Sequence, residues 1–490
     1  HDILYTQIHN LMDMGAKQDD FFILFAGMKP GTPAPFLDTF LSRKGLSIAF
    51  ADSETENIRE VEFRNKIVMT TFHKSKGRER KYVFVFNYDE SYFQYYKPNT
   101  NIQVCPPELY VATSRATKCV WLIHGYTESQ QCRQLPFCKM DLQTLAETPY
   151  CTVTNLTGKP LSQCTKRGGP IPGNINNTFN VTDIINYLSD ECEAFLYPLI
   201  DRLYTTRQRD DGHKTSIPST IVSQFDTSEN ITDLLGVAIP SYIGHTQGIR
   251  GDIHRLIDTH PSGYHSMIRE IYDPPDQIED HLRFANILKS IRKGTWSNIR
   301  QINRYHFLSE DNLKCCELNA GRIPLTEHMT FEYLVTHTHF HREFGEISLQ
   351  GSIDAHSPRL NEIYEFKCTS ALQFSHKLQL VIYAWILKQK GTYEDTQSYL
   401  FNFFTGELLH MDYREWEINQ VMAYLFRDKF TQRRSTNDTE FLRQCHDQTD
   451  TQTLRDHVKK NENTSERDYE PTSEYLLGDS EEEETRSHSV

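Results

Sequence analysis

Two carboxylates and a lysine lie close together near residue 360. The sequence reads Gly351-Ser352-Ile353-Asp354, then Ile363-Tyr364-Glu365-Phe366-Lys367. Side chains on a strand alternate between faces, so Glu365 and Lys367 share one face and Tyr364 and Phe366 the other. Asp354 ends a preceding apolar strand. The polar turn from His356 to Asn361 lets the two strands pair as a hairpin, which brings Asp354, Glu365 and Lys367 to one point at a sheet edge. Glu-x-Lys alone is the ordinary pattern of an exposed cross-strand pair. With an aspartate on the neighbouring strand, the set suits phosphodiester hydrolysis. Two carboxylates supply hard oxygen ligands for Mg²⁺. A bound metal acidifies water and neutralises phosphate charge, and a nearby ammonium orients the attacking water or stabilises developing negative charge.

A helix is expected after these strands, over residues 376–390. Leu378, Val381, Ile382, Trp385 and Ile386 recur with helical spacing as a core stripe. Gln379 and Tyr383 are four residues apart and project from one side of that helix.

A second cluster lies earlier, where Val68 to Phe86 reads strand, polar loop, strand. The loop offers backbone amides at Gly77 together with His73, Lys74 and Lys76, a combination suited to phosphate. Leu109 to Ala116 follows, with Arg115 in a Val/Ala-rich helix and able to reach a phosphate charge. Taken singly, a basic loop and one arginine are ordinary surface features.

The elements that must position these residues are of α/β type. Phe21–Phe25, Ile67–Thr71, Tyr82–Phe86 and Val120–His124 read as buried strands. Pro35–Leu46 and Glu108–Lys118 read as helices between them, which predicts a parallel sheet. Residues 128–178 turn to Gly, Pro, Asn, Thr and Gln and read as a linker. A second globular region is expected over 179–430.

Length and charge agree with more than one core. A chain of 490 residues exceeds one ordinary domain. Its net charge of −14 is uneven: residues 461–490 hold ten acidic and two basic residues, a net of −8, leaving −6 for the other 460. Residues 431–490 are therefore expected to be a polar, acidic, disordered tail. No apolar run suits a membrane span and no signal peptide is visible. Eleven scattered cysteines, without a C-x-x-C pair, point to a reducing intracellular compartment, nuclear or cytoplasmic, rather than secretion. The first residue is His1, which fits a piece of a longer polypeptide.

Gly351-x-x-Asp354, Glu365-x-Lys367 and Gln379-x-x-x-Tyr383 resemble the motif series of RecB-family nucleases within the PD-(D/E)XK superfamily. Residues 180–188, with Phe195 and Tyr197, resemble that family's opening helix, with Glu191-Cys192-Glu193 where Cys-Pro is usual. Gly251-Asp252-Ile253-His254 resembles its G-x-x-H segment, and Ser398 to Glu407 its closing hairpin. The resemblance implies a restriction-endonuclease-like α/β domain with catalytic Asp354, Glu365, Lys367, Gln379 and Tyr383. It also implies Mg²⁺ or Mn²⁺ held by His254, Asp354 and Glu365.

Thr71-Phe72-His73-Lys74-Ser75-Lys76-Gly77-x-Glu79 resembles motif V of UvrD/RecB-like superfamily-1 helicases. Leu109-Tyr110-Val111-Ala112-x-x-Arg115-Ala116 resembles their motif VI. This implies a RecA-like second lobe over 1–127, with Gly77, Glu79 and Arg115 on nucleotide and Thr71, His73, Lys74 and Lys76 on single-stranded DNA. Ala26 stands where relatives carry arginine, and Arg78 and Arg80 replace apolar residues. No G-x-x-x-x-G-K-[ST] phosphate loop occurs in the 490 residues.

The combined expectation is a metal-dependent DNA nuclease joined to a helicase lobe, acting in recombination, repair or replication. Its partners are DNA, single-stranded or at duplex ends, and a first helicase lobe in cis or in trans that would bring ATP; no membrane partner is expected. Two other readings fit the same residues: a helicase whose first lobe lies elsewhere, and a DNA-binding scaffold with a decayed nuclease centre.

Overall fold

Five consecutive large apolar residues, Phe21–Phe25, call for a strand covered on both faces. This strand, β1, is the middle of a sheet with β2 (Ile48–Ala51), β3 (Ile67–Thr71), β4 (Arg80–Phe86) and β5 (Ala116–Ile123), in the order β2-β3-β1-β4-β5. Every neighbouring pair is parallel. Phe21, Ile23 and Phe25 enter one core with helices α1 (Asp2–Asp13) and α2 (Pro33–Arg43). Phe22 and Leu24 enter the opposite core with α3 (Pro107–Thr113). The helix expected over Glu108–Lys118 therefore stops at Thr113, and β5 begins at Ala116. The run Cys119-Val120-Trp121-Leu122-Ile123 favours a pleated strand and pairs with Tyr82 to Phe86.

The computed structural model describes residues 1–29, 31–51, 60–89, 92, 101, 103–124, 133–135, 137–138, 140, 142–149, 151–154, 166–167, 178–186, 188–208, 213–249, 277–325, 328–391 and 396–435. The chain divides into His1–Asp438 and Thr439–Val490, and all described residues belong to the first. The expected disordered tail lies outside them from residue 436 onward. Within the segment expected as a linker, β6 (Arg133–Gln134) and β7 (Lys166–Arg167) pair in parallel. Leu135 is buried beside Phe22 and Leu109, so part of that segment completes the first sheet's core.

The second sheet contains seven strands and is mixed. Its members are β8 (Thr178–Asn180), β9 (Tyr204–Gln208), β12 (Thr330–His341), β13 (Gly345–Ser357), β14 (Glu362–Lys367), β15 (Gln397–Asn402) and β16 (Leu408–Met411). The order is β12-β13-β14-β15-β16-β9, with β8 also on β13. A small hairpin, β10 (Thr220–Val222) and β11 (Ser228–Asn230), stands apart. One face of the large sheet is covered by α4 (Val181–Ile185), α5 (Asp190–Arg202), α10 (Phe374–Gln389) and α11 (Glu415–Ser435). The other is covered by α6 (Thr232–Thr246), α7 (Ile278–Lys293) and α9 (Glu310–Ala320). No helix among the described residues is long and apolar enough to cross a membrane.

Polar groups join the two sheets' surroundings. Helix α8 (Ser297–Gln301) begins against Asp38 of α2, whose Oδ2 accepts from the backbone N–H of Trp296 (2.6 Å) and Ser297 (3.0 Å). The Gln301 amide closes the free edge of β2, accepting from Ile48 N at 2.7 Å and donating to Ile48 O at 3.1 Å. Beneath it, Lys66 pairs with Glu229 at 2.8 Å with both side chains nearly inaccessible. The same Glu229 oxygen accepts from Thr227 and Gln301.

A buried charge left without its partner is far costlier than the intact pair is stabilising. Lys66→Ala is expected to lower unfolding free energy by about 3–5 kcal/mol, whereas Lys66→Met with Glu229→Leu recovers most of that loss. Urea unfolding of the three proteins checks this, and a loss under about 1 kcal/mol for Lys66→Ala would place the pair in solvent-like surroundings.

Candidate active site

The hairpin that carries Asp354 and Glu365 lies inside the sheet rather than at its edge. β13 and β14 are antiparallel, with Ala355 opposite Tyr364. β14 is also paired along its whole length, in parallel, with β15, which arrives after the intervening helix α10. Interior placement makes Glu365 almost inaccessible, at 1%. Tyr364 and Phe366 enter the core on the α6 and α7 side. Glu365 and Lys367 point the other way, towards α10.

There the polar groups form a chain. Lys367 Nζ donates to Glu365 Oε1 at 2.7 Å and to Gln379 Oε1 at 3.1 Å. Gln379 Nε2 donates to Tyr383 Oη at 3.3 Å. Asp354 Oδ2 accepts from Phe366 N at 2.6 Å, which ties the first carboxylate to the second strand. Gly351 explains how Tyr383 approaches so closely. A Cβ at that position would lie 2.7 Å from Tyr383 Cε1 and 3.0 Å from Val181 Cγ2, so glycine is needed for α10 and α4 to close on β13.

Burial and mutual repulsion set the charge state of the centre. Burial pushes the Asp354 carboxyl well above the usual carboxylate range, and the nearby Glu365 adds to this. Burial raises Glu365 as well, against the pull of Lys367. A proton on either carboxyl would relieve the repulsion that Glu365 exerts on Asp354. Glu365 Oε2 is buried with no donor among the described residues. Burial alone would lower the Lys367 ammonium, but Glu365 and Asp354 outweigh it and hold its pKa above the ordinary lysine value.

As metal ligands, Asp354 and Glu365 fit as two of the oxygen donors that a hard divalent cation takes, and the orphaned Oε2 is the observation that supports this. Among the described residues no group of three or more His, Cys, Asp or Glu is arranged to hold a metal. His254, the expected third ligand, lies outside the described residues.

A third carboxylate was not marked by any motif. Glu332 of β12 stands opposite Asp354, between the paired positions Phe331↔Ala355 and Tyr333↔Ile353. Its charge also raises the Asp354 and Glu365 carboxyls. Glu332 has φ +50°, a left-handed conformation that costs a non-glycine residue roughly 1–2 kcal/mol. Nothing local predicts this, because Thr-Phe-Glu-Tyr-Leu-Val reads as an ordinary alternating strand.

The first sheet separates its candidate residues into two groups. Thr71 ends β3, level with Phe25 at the end of β1, and exposed His73 follows it with half-buried Lys74 and Lys76. Gly77 turns the chain with φ +71°. Glu79 and Arg115 immediately precede Arg80 and Ala116, which pair at the starts of β4 and β5. Those two residues therefore sit at the opposite end of the sheet from Thr71. Arg115 is turned onto its own lobe, with Nε on Val111 O (2.9 Å), Nη2 on Ser114 Oγ (3.0 Å) and Nη1 on Arg78 O (3.5 Å). Arg78 and Arg80, which replace apolar residues of the helicase pattern, lie over the rings of Phe63 and Phe22 at 4.7 and 4.9 Å. Ala26 packs against the core with Phe22.

The raised carboxyl pKa values have a definite sign. A carboxyl whose folded pKa exceeds its unfolded value binds more protons when folded, so stability falls as pH climbs from about 4 towards the raised value. In chelator, Asp354→Asn is expected to stabilise the protein by about 1–2 kcal/mol near pH 7, with the gain vanishing below about pH 4. Thermal melts across that range test it; an equal effect at both pH values would show that the charge is not what costs stability.

No protein-family model matches this chain, and no curated protein matches it significantly, so the chemistry of the centre rests on its own residues.

Proposed function

We propose that this chain is a divalent-metal-dependent deoxyribonuclease of the RecB-like PD-(D/E)XK type, joined to the second RecA-like lobe of a UvrD/RecB-like helicase. The observation that carries this reading is the convergence of Asp354 and Glu365, with Lys367 bridging Glu365 to Gln379. A decayed scaffold would have no reason to keep a buried Glu365 together with half-buried Asp354 and Lys367. The β14-α10-β15 unit, a parallel pair joined through a helix, supports the nuclease-like architecture.

Asp354 and Glu365 would hold Mg²⁺ or Mn²⁺, which supplies an acidified water and neutralises charge on the scissile phosphate. Lys367 is positioned to hold the attacking water and then to stabilise the negative charge that develops on the phosphate. Gln379 fixes the ammonium from its second side, and Tyr383 fixes Gln379. The apolar core beneath Glu365 strengthens its interaction with Lys367.

The parallel sheet, with Gly77, Glu79 and Arg115 at one strand end and Thr71, His73, Lys74 and Lys76 leading from the other, supports a motor lobe. Hydrolysis of ATP would need a phosphate-cradling loop that this sequence lacks. The chain by itself is therefore expected to show no DNA-stimulated ATPase. Supplying a first lobe should create activity that Arg115→Ala removes; activity indifferent to Arg115→Ala would contradict the assignment.

The nuclease reading is tested with labelled single-stranded and duplex DNA in Mg²⁺, Mn²⁺ or chelator. Metal-dependent cleavage is expected, with Lys367→Ala and Glu365→Gln each slowing it by about 10²–10³-fold. Cleavage at an unchanged rate by folded Glu365→Gln would refute the centre.

A further inference from the structure

Glu332 stands opposite Asp354 in the β12–β13 pair, and its charge is felt at the Asp354–Glu365 centre. One cation stands beside it. Arg292, in the last turn of α7, donates from Nη2 to Glu332 Oε2 at 3.0 Å. Its side chain is 47% exposed, and its other guanidinium donors have no protein partner among the described residues.

The geometry holding this arginine is specific. Glu332 keeps its left-handed conformation while Oε2 also accepts from Ser352 Oγ at 2.8 Å. Strained residues of this kind persist where surrounding contacts over-determine them. The helix that carries Arg292 is fixed at its end by Gly294, which is left-handed at φ +68°. The Gly294 carbonyl accepts from Thr39 Oγ1 of α2 at 3.2 Å. Arg292 thus lies where the two sheets' helices meet, with its guanidinium turned to Glu332 and partly open to solvent.

We propose that Arg292, steered by Glu332, anchors a backbone phosphate of the polynucleotide strand presented to Asp354, Glu365 and Lys367. The inference rests on the nuclease reading for what lies beside the anchor, and it adds the residue that holds the substrate strand. A guanidinium suits this role because its planar fork donates two parallel hydrogen bonds to phosphate oxygens. Glu332 takes one donor and leaves the remainder facing outward.

The test is fluorescence anisotropy of a labelled single-stranded oligonucleotide across a salt series in Ca²⁺, with the cleavage assay run in parallel in Mg²⁺. Arg292→Ala is expected to weaken binding about tenfold and to reduce the salt slope by about 0.7, the share of one single-strand phosphate. Arg292→Lys should lose less. Arg283→Ala, on the same helix but paired with Asp280, should match the unsubstituted protein. In cleavage, Arg292→Ala should raise KM with kcat changed less than about threefold. Binding and KM indifferent to Arg292→Ala, equal losses for Arg283→Ala, or no binding by the unsubstituted protein would each overturn the anchor. Cleavage that persists in the first two cases leaves the nuclease reading standing. Binding sensitive to Arg292→Ala without cleavage by any form would keep the phosphate site and overturn the nuclease instead.

Discussion

Burying Glu365 beside half-buried Asp354 and Lys367 is the constraint around which the second sheet is built. Carboxylates in an apolar core are unfavourable unless neutralised by a proton, an ammonium or a metal. The structure answers with the Lys367–Glu365 bond and the bond from Phe366 N–H to Asp354. Close packing then follows outward. Gly351 lacks a side chain so that Tyr383 can lie against it, Tyr383 holds Gln379, and Gln379 holds Lys367. Around this chain Leu378, Val381, Ile382 and Ile386 seal the apolar face of the helix.

The two halves of the described chain are bound by the same kind of logic. Asp38 meets the unpaired N–H groups at the start of α8, and Gln301 satisfies the backbone of β2 as another strand would. An edge strand left open invites pairing with a foreign chain, and a side chain that occupies Ile48 removes part of that opportunity. Lys66 and Glu229 lie beneath these contacts, beyond the reach of solvent screening. The parallel sheet is thus completed by residues from the other half, and the approach of α7 to both halves is fixed by Gly294 and Thr39.

What the sequence made legible was whatever depends on local spacing. Phe21–Phe25 had to be a covered strand, and the alternation Tyr364-Glu365-Phe366-Lys367 had to divide polar from apolar. The four-residue step from Gln379 to Tyr383 had to bring those side chains together. Features set by distant segments were hidden. The position of β14 inside the sheet depends on β15, which follows a whole helix later. The boundary between α3 and β5 was set by pairing with β4, which overrode the helical appearance of residues 114–118. β2 went unnoticed because Ile-Ala-Phe-Ala is short and becomes a strand only beside β3. Glu332 and Arg292 carry no motif at all: register puts the first opposite Asp354, and helix α7 brings the second to it.

Burial raises both the Asp354 and Glu365 carboxyls, so under the proposed function a divalent cation would displace protons from them. Calorimetric titration of Mn²⁺ into the protein near pH 6, repeated in buffers of different ionisation enthalpy, counts the protons released on binding. The account predicts saturable binding with net proton release, and loss of both in Asp354→Asn and Glu365→Gln. Binding without proton release, or binding unchanged by either substitution, would contradict it.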